Sequence, residues 1–328
     1  MNKILVIQTA FLGDVVLATS LIEKLIKFYP DSELHFLLRA GNEHILKGHP
    51  HLKKLWIWNK KKKYTSLLKI VKALRNERYD VIINLHRFFS SGSFTVFAGA
   101  KETRGFRKNP LSPFFDKKFD HQISPDSEGH EIERNHQLIQ DLTDSTPMRP
   151  VLYPSEVDYS SVQKFKHNEY FTIAPASVWY TKQWPKTKWI ELINRLDRTL
   201  NIYLLGAPGD KELCDTILKA CSGTNIINLA GELGPLASVA LMENAKMNFV
   251  NDSAPLHFAS SVNAPVRAVF CSTIKNFGFG PLSDDSAVVE VEQPLACRPC
   301  GLHGHRSCPQ GHFKCAMDIS VNKLLTSF

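Results

Sequence analysis

Apolar and polar positions along the chain fall into two periods that take turns. Short apolar runs at residues 3–9 (KILVIQT), 33–38, 53–58 and 80–85 predict strands, the first buried on both faces. After a turn at Gly13, Leu17, Leu21, Leu25 and Phe28 share one helical face until Pro30 and Asp31 end it. A helix is expected over residues 65–77, a long loop over 107–128 and a helix over 130–142. Residues 144–168 hold Pro147, Pro150 and Pro154 with little pattern and predict a linker, giving domains 1–155 and 156–328. Strands at 171–175, 201–206, 225–229, 247–251 and 265–270 then alternate with helices at 186–199, 209–221, 234–245 and 254–262. A short helix closes the chain at 320–328. Two successive βαβ series predict an α/β fold of two doubly wound parallel sheets. Ligands of such sheets bind at the carboxyl ends of the strands, with the cleft between domains as the expected site.

Composition narrows the class. At 328 residues and 43% hydrophobic, the chain can bury two cores without disulfide or metal staples. No apolar stretch approaches the length of a membrane span. Gln8, Gly13 and Asp14 interrupt the N-terminal apolar run, so it reads as a strand and turn of a cytoplasmic protein, not a leader. The charge is one-sided. Residues 1–150 carry 24 Lys+Arg against 16 Asp+Glu, and the remainder 16 against 16, so the whole net charge of +8 lies in the first half. That half is expected to meet something anionic, such as a phosphorylated glycan, anionic lipid or nucleic acid.

The first strand–turn–helix reads TAFLGD at residues 9–14 and lacks both G-x-G-x-x-G and G-x-x-x-x-G-K-[ST], which argues against a dehydrogenase or P-loop NTPase. It offers Asp14 instead, an acid at a helix N-terminus. Such a group serves either the helix dipole or an acceptor hydroxyl as general base. In the second half, Ser177, Thr181 and Lys182 crowd a strand-to-helix loop, where hydroxyls and a lysine suit a diphosphate. Trp184 and Trp189 read as packing anchors. Asp252 and Ser253 are placed to cap the next helix, and His257 falls about one turn inside it. Asp210 follows a strand, where acids commonly hold a ribose.

These segments together resemble the ADP-heptose:lipopolysaccharide heptosyltransferases, glycosyltransferase family 9, with the GT-B double-Rossmann fold. The resemblance is carried by GDVVLATSLIEKLIKFYP (13–30), HEIERN (130–135), KQWPKTKWIELI (182–193) and NDSAPLHFAS (251–260). It implies inverting, metal-independent transfer of heptose from an ADP-sugar donor to the anionic lipopolysaccharide core, lipid A–Kdo or a heptosyl acceptor. No cofactor is implied. Asp14 would be the base. Lys182, with Ser177 and Thr181, would neutralise the leaving diphosphate. Asp252, Ser253, Ala254 and His257 would line the diphosphate and sugar, Asp210 the ribose and Leu233 the adenine. Arg87, Arg104 and Arg134 would grip acceptor anions, with structural ion pairs as the alternative. The chain departs from the family at Ala254-Pro255, where a Gly is usual two residues after the Asp.

An enzyme at this work would be peripheral to the cytoplasmic face of the inner membrane. Lys60–Lys63, with Lys53 and Lys54, are the expected docking run. Cys297, Cys300, Cys308 and Cys315 lie with three histidines in 19 residues. The first pair has zinc-knuckle spacing and the second lacks its closure, so a packed thiol-rich loop competes with a zinc site. Three rivals stand beside the main reading: another nucleotide sugar, a nucleotide-sugar epimerase on the same fold, and a basic nucleic-acid-binding protein. No nucleic-acid-binding signature supports the last.

Overall fold

The computed structural model describes residues 1–222 and 225–326, without the side chains of residues 62–64. The chain forms two compact units, Met1–Ile123 with Gly129–Tyr153, and Ser124–Glu128 with Pro154–Phe328. The first unit contains β1 (Lys3–Ile7), α1 (Leu12–Phe28), β2 (Glu33–Arg39), β3 (Lys54–Trp58), α2 (Lys63–Glu77), β4 (Val81–Asn84), α3 (Phe89–Phe97), β5 (Glu102–Phe106), β6 (Lys117–Phe119) and α4 (Glu131–His136). Its strands are all parallel, in the order β3-β2-β1-β4-β5-β6. In β1, Ile4–Ile7 are all but inaccessible, as a strand covered by helices on both faces must be.

The second unit contains α5 (Glu156–Val162), β7 (Tyr170–Ala174), α6 (Lys186–Arg195), β8 (Asn201–Leu204), α7 (Lys211–Ala220), β9 (Ile226–Asn228), α8 (Pro235–Glu243), β10 (Met247–Asn251), α9 (Ala254–Ser261), β11 (Val266–Phe270), β12 (Ser286–Glu290), α10 (Lys314–Met317) and α11 (Val321–Leu325). Its parallel sheet runs β12-β11-β10-β7-β8-β9, which repeats the order of the first. In each sheet the order reverses once, between β1 and β4 and between β7 and β10. The carboxyl ends of those strand pairs are therefore the ligand edge. Trp184 and Trp189 meet edge to face at 4.9 Å in the second core, and the Trp184 indole donates to the Ala316 carbonyl at 3.1 Å. That bond fixes the C-terminal segment to the sheet.

Several elements depart from the sequence expectations. The stretch 107–128 is not wholly loop, because Lys117–Phe119 adds β6 to the edge of β5. The helix expected at 130–142 keeps its period only to His136. The supposed linker carries α5, whose Ser155 hydroxyl accepts from the Asp158 N–H at 3.3 Å. α3, β5 and β12 carry no signal of the expected kind. The final helix is Val321–Leu325, and residues 327–328 of that expectation lie outside the described residues.

Candidate functional site

At the ligand edge of the first sheet the turn precedes Gly13 and the helix already begins at Leu12, so Asp14 stands in the first turn of α1. Its carboxylate accepts from the Phe11 N–H at 3.1 Å, the helix-capping role. Around it stand cations at or just beyond strand ends: Arg39 closes β2, Lys60 follows β3, Arg87 follows β4 and Lys108 follows β5. Each lies over an aromatic ring. Arg39 sits 5.0 Å from the Phe11 centroid, Lys60 5.3 Å from Trp58, Arg87 5.3 Å from Phe88 and Lys108 5.5 Å from Phe106. His86, buried beneath them, has its Nδ1 2.7 Å from the Thr9 hydroxyl. Burial first, then these four positive charges, push its pKa down to about 3, so it is neutral at pH 7. Lys108 keeps an exposed surface, yet the protein packed round its ammonium, with Arg87 and Arg134 nearby, lowers its pKa to about 8. An anion placed among these cations would relieve their mutual repulsion.

Two of the three arginines named from sequence are buried and paired with carboxylates. Arg104 is fully buried in β5, its guanidinium spent on Glu102, Asp141 and the Leu138 carbonyl. Arg134 is buried on α4 and donates to Glu131 at 2.9 Å and to the Gly129 carbonyl at 3.1 Å. Arg104 is structural, because a side chain saturated by the fold has no donor left to aim at a ligand; Arg134 is paired with Glu131 and stands close enough to Lys108 to act on it. Only Arg87 of the three is exposed. Arg39, Lys60 and Lys108 are candidate ligand groups that the sequence reading missed, and a scan for cations at or within two residues of a strand's carboxyl end finds all three. Arg104→Leu is expected to cost about 2 kcal/mol in urea unfolding, below the 3–5 of fully buried pairs because both carboxylates can regain water. An equally stable variant with a raised KM for acceptor would restore Arg104 as a ligand group. Arg104 also holds the Asp141 pKa down to about 2, so its contribution is present above the usual carboxylate range and fades as pH falls toward 2.

In the second unit, Lys182 ends a short turn after β7, and its ammonium lies 2.6 Å from the Asp252 carboxylate. The Thr273 hydroxyl donates to the same oxygen at 2.6 Å. Asp252 therefore orients Lys182; it does not cap α9. Ser253 occupies the N-cap position, but its hydroxyl makes no capping bond and stands 3.4 Å from the Asn251 carbonyl. The expectation that both residues cap the helix is corrected by these partners. Ala254 and Pro255 are the first two helical residues, where the fixed φ of proline fits and its missing N–H costs nothing. Asn251, which opens the NDSAPLHFAS segment but was given no role there, ties the two strand exits together: it accepts from the Trp184 N–H at 2.9 Å and donates to the Pro175 carbonyl at 2.8 Å.

Ser177 is half-buried in the same loop, and its carbonyl accepts from Gln183 at 2.6 Å. His257 is buried within α9. Asp210 accepts from the Ala207 N–H at 2.8 Å before α7, and Leu233 is half-buried ahead of α8. Both lie beyond strand ends, at the ligand edge. Thr181 is 1% exposed and its hydroxyl is engaged by Ser272 and His305, so it is no donor-contact group. A depression lined by Asn194, Asp197, Arg198 and Asn225 lies at the opposite, amino-terminal edge of this sheet and holds none of these residues.

The cysteines are all thiols. Cys315 is buried, Cys300 donates to the Cys297 carbonyl at 3.1 Å, and the Cys297 sulfur lies 4.0 Å from His312 Nε2. Among the described residues no group of three or more His, Cys, Asp or Glu is arranged to hold a metal ion.

Comparison with known proteins adds the following. The sequence profile of glycosyltransferase family 9 (heptosyltransferase) matches residues 67–305. Lipopolysaccharide heptosyltransferase 3 of Escherichia coli is 28% identical over 283 residues, covering 80% of this chain and 82% of that one. Lipopolysaccharide heptosyltransferase 2 of Escherichia coli strain K12 is 24% identical over 348 residues, covering 98% and 96%. The solved structure of E. coli ADP-heptose lps heptosyltransferase II superposes with a TM-score of 0.80 at 23% identity, covering 99% of this chain and 97% of that one. This last likeness bears on the fold, the GT-B class of two Rossmann-like domains.

Proposed function

The chain belongs to glycosyltransferase family 9, the heptosyltransferases, and from that premise we propose that it moves heptose from ADP-heptose to the lipopolysaccharide inner core with inversion. The observation that carries this reading is the Lys182–Asp252–Thr273 arrangement at the ligand edge of the second sheet. A lysine held there meets the charge that builds as ADP departs. Asp14 takes the proton from the acceptor hydroxyl. Ser177, Ser253, Ala254 and His257 line the diphosphate and sugar, Asp210 holds the ribose and Leu233 packs on adenine. Arg87, joined by Arg39, Lys60 and Lys108, receives the phosphates or carboxylates of the acceptor. A thermal-shift series with nucleotide sugars tests the donor. Stabilisation by ADP-sugars and not by UDP- or GDP-sugars is expected, and preference for UDP or GDP would overturn it.

The acceptor is lipid-borne, so the enzyme works at the cytoplasmic face of the inner membrane without crossing it. Among the described residues no helix is long and apolar enough to span. The lysine run that follows β3 is the candidate docking element, with one change. Lys54 opens β3 and is paired with Glu77 at 2.6 Å, so it stands at the amino-terminal end of the strand, whereas Lys60 lies beyond its carboxyl end. Lys54 belongs to the other edge of the sheet, as does Lys53. Replacing Lys61, Lys62 and Lys63 by Gln, with Lys60 kept, is expected to weaken binding to anionic vesicles and flatten its salt dependence. Turnover on a delipidated acceptor stays the same. Unchanged vesicle binding would make the run a solvated surface only.

A further inference from the structure

We propose that Thr181 is a positioning residue for Lys182, and that it acts by fastening the cysteine-bearing loop 300–305 to the turn that carries the lysine. The proposal rests on the role given to Lys182 above. Thr181 is buried, and its polar atoms are all engaged across the fold. Its hydroxyl accepts from the His305 N–H at 2.7 Å and lies 3.1 Å from the Ser272 hydroxyl. Its N–H donates to the His305 carbonyl at 3.1 Å, and its own carbonyl accepts from the Ser272 N–H at 3.3 Å. The Ser272 carbonyl in turn accepts from the Cys300 N–H at 2.9 Å. Three segments far apart in sequence thus close on one threonine.

The same segments hold the rest of the lysine. Gly304 has φ +76°, and a Cβ there would stand 2.9 Å from Thr181 Oγ1 and 3.0 Å from Lys182 Cγ. The glycine backbone is therefore a wall against the lysine stem, which no other residue could form without displacing it. At the head, Thr273 shares the Asp252 oxygen that binds the ammonium. Arg298 fixes that strand exit to the cysteine loop by donating to the Cys271 carbonyl at 2.7 Å and the Thr273 carbonyl at 2.6 Å. Base, stem and head of Lys182 are located by two segments, 271–273 and 298–305. A long flexible side chain held this way is preorganised for charge that appears only during transfer. This gives the C-terminal thiol-rich segment a task at the donor site.

The test is a double-mutant cycle in the full chain: Thr181→Val and Thr181→Ser, each with Lys182 and with Lys182→Ala, read by the ADP dissociation constant and by turnover. Thermal unfolding checks that each variant folds. Thr181→Val is expected to lower kcat about tenfold with the donor KM little changed, and to weaken ADP several-fold; Thr181→Ser restores most of both. With Lys182→Ala, Thr181→Val is expected to change ADP affinity less than about twofold, because its effect runs through the lysine. Equal losses in both backgrounds, or wild-type turnover in Thr181→Val, would overturn the proposal. Should Thr181→Val not fold, Gly304→Ala replaces it in the same cycle with the same expected pattern. A Lys182→Ala enzyme with normal ADP affinity and turnover would instead remove the role of Lys182 itself.

Discussion

Asp14→Asn is expected to lose about 10²–10⁴ in turnover while ADP affinity and folding stability change little. The separation of these effects follows from what the carboxylate does in the fold. In the fold it accepts a hydrogen bond from the Phe11 N–H at 3.1 Å. The amide oxygen of Asn can accept the same bond, so the first turn of α1 survives. What Asn cannot do is take a proton from an acceptor hydroxyl. Asp14 is also the acid standing within electrostatic reach of both Arg39 and Lys108. On the proposed mechanism, an acceptor anion held by those cations would bring its neighbouring hydroxyl toward Asp14. Initial rates with saturating donor, alongside ADP titration and urea unfolding, separate the three quantities. Near-normal turnover in the Asn variant would leave Asp14 as a helix cap and remove it from the chemistry.

The architecture was legible because both sheets write themselves in short apolar runs, and those runs sit where β1, β2, β4, β7, β8 and β10 do. Two of the elements that escaped reading, α3 and β5, share one physical cause: polar residues buried with partners that the local pattern does not reveal. α3 turns Ser90, Ser91, Ser93 and Thr95 inward, where Ser93 bonds the Phe89 carbonyl and Thr95 bonds both the Ser91 carbonyl and Asn84. A helix whose buried face is hydroxyls shows no apolar stripe. β5 was hidden by Arg104, a charge in mid-strand that is tolerable only because Asp141 and Glu102 meet it. The same effect hid the pairing of Arg104 and Arg134, since sequence shows a cation but not its carboxylates. In the donor motif the residue types were readable and their division of labour was not. Asp252 binds the lysine, Asn251 joins the strand exits and Thr181 anchors a loop more than a hundred residues away.

Lys182→Ala is expected to weaken ADP binding and slow transfer together, losing about 2–4 kcal/mol of transition-state stabilisation, or roughly 30- to 1,000-fold in kcat/KM. Two losses add in this variant. The first is the ammonium itself, which on the proposed mechanism would face the diphosphate in the ground state and more charge as the glycosidic bond breaks. The second is the carboxylate it leaves behind. Asp252 is nearly buried, and with Lys182 gone it keeps the Thr273 hydroxyl but no cation in the 2.6 Å position. A buried anion beside an arriving diphosphate repels it, so ADP affinity falls further than deletion of one attraction would produce. This distinguishes Lys182→Ala from Lys182→Ala with Asp252→Asn. Removing the stranded charge is expected to recover part of the ADP affinity, while turnover stays low because the cation that meets the leaving group is still missing. Calorimetric titration with ADP and steady-state transfer rates on the wild type, the single variant and the double variant give all the needed numbers. If ADP binds the single variant as tightly as the wild type, Lys182 has no hold on the diphosphate, and its pairing with Asp252 is structural only.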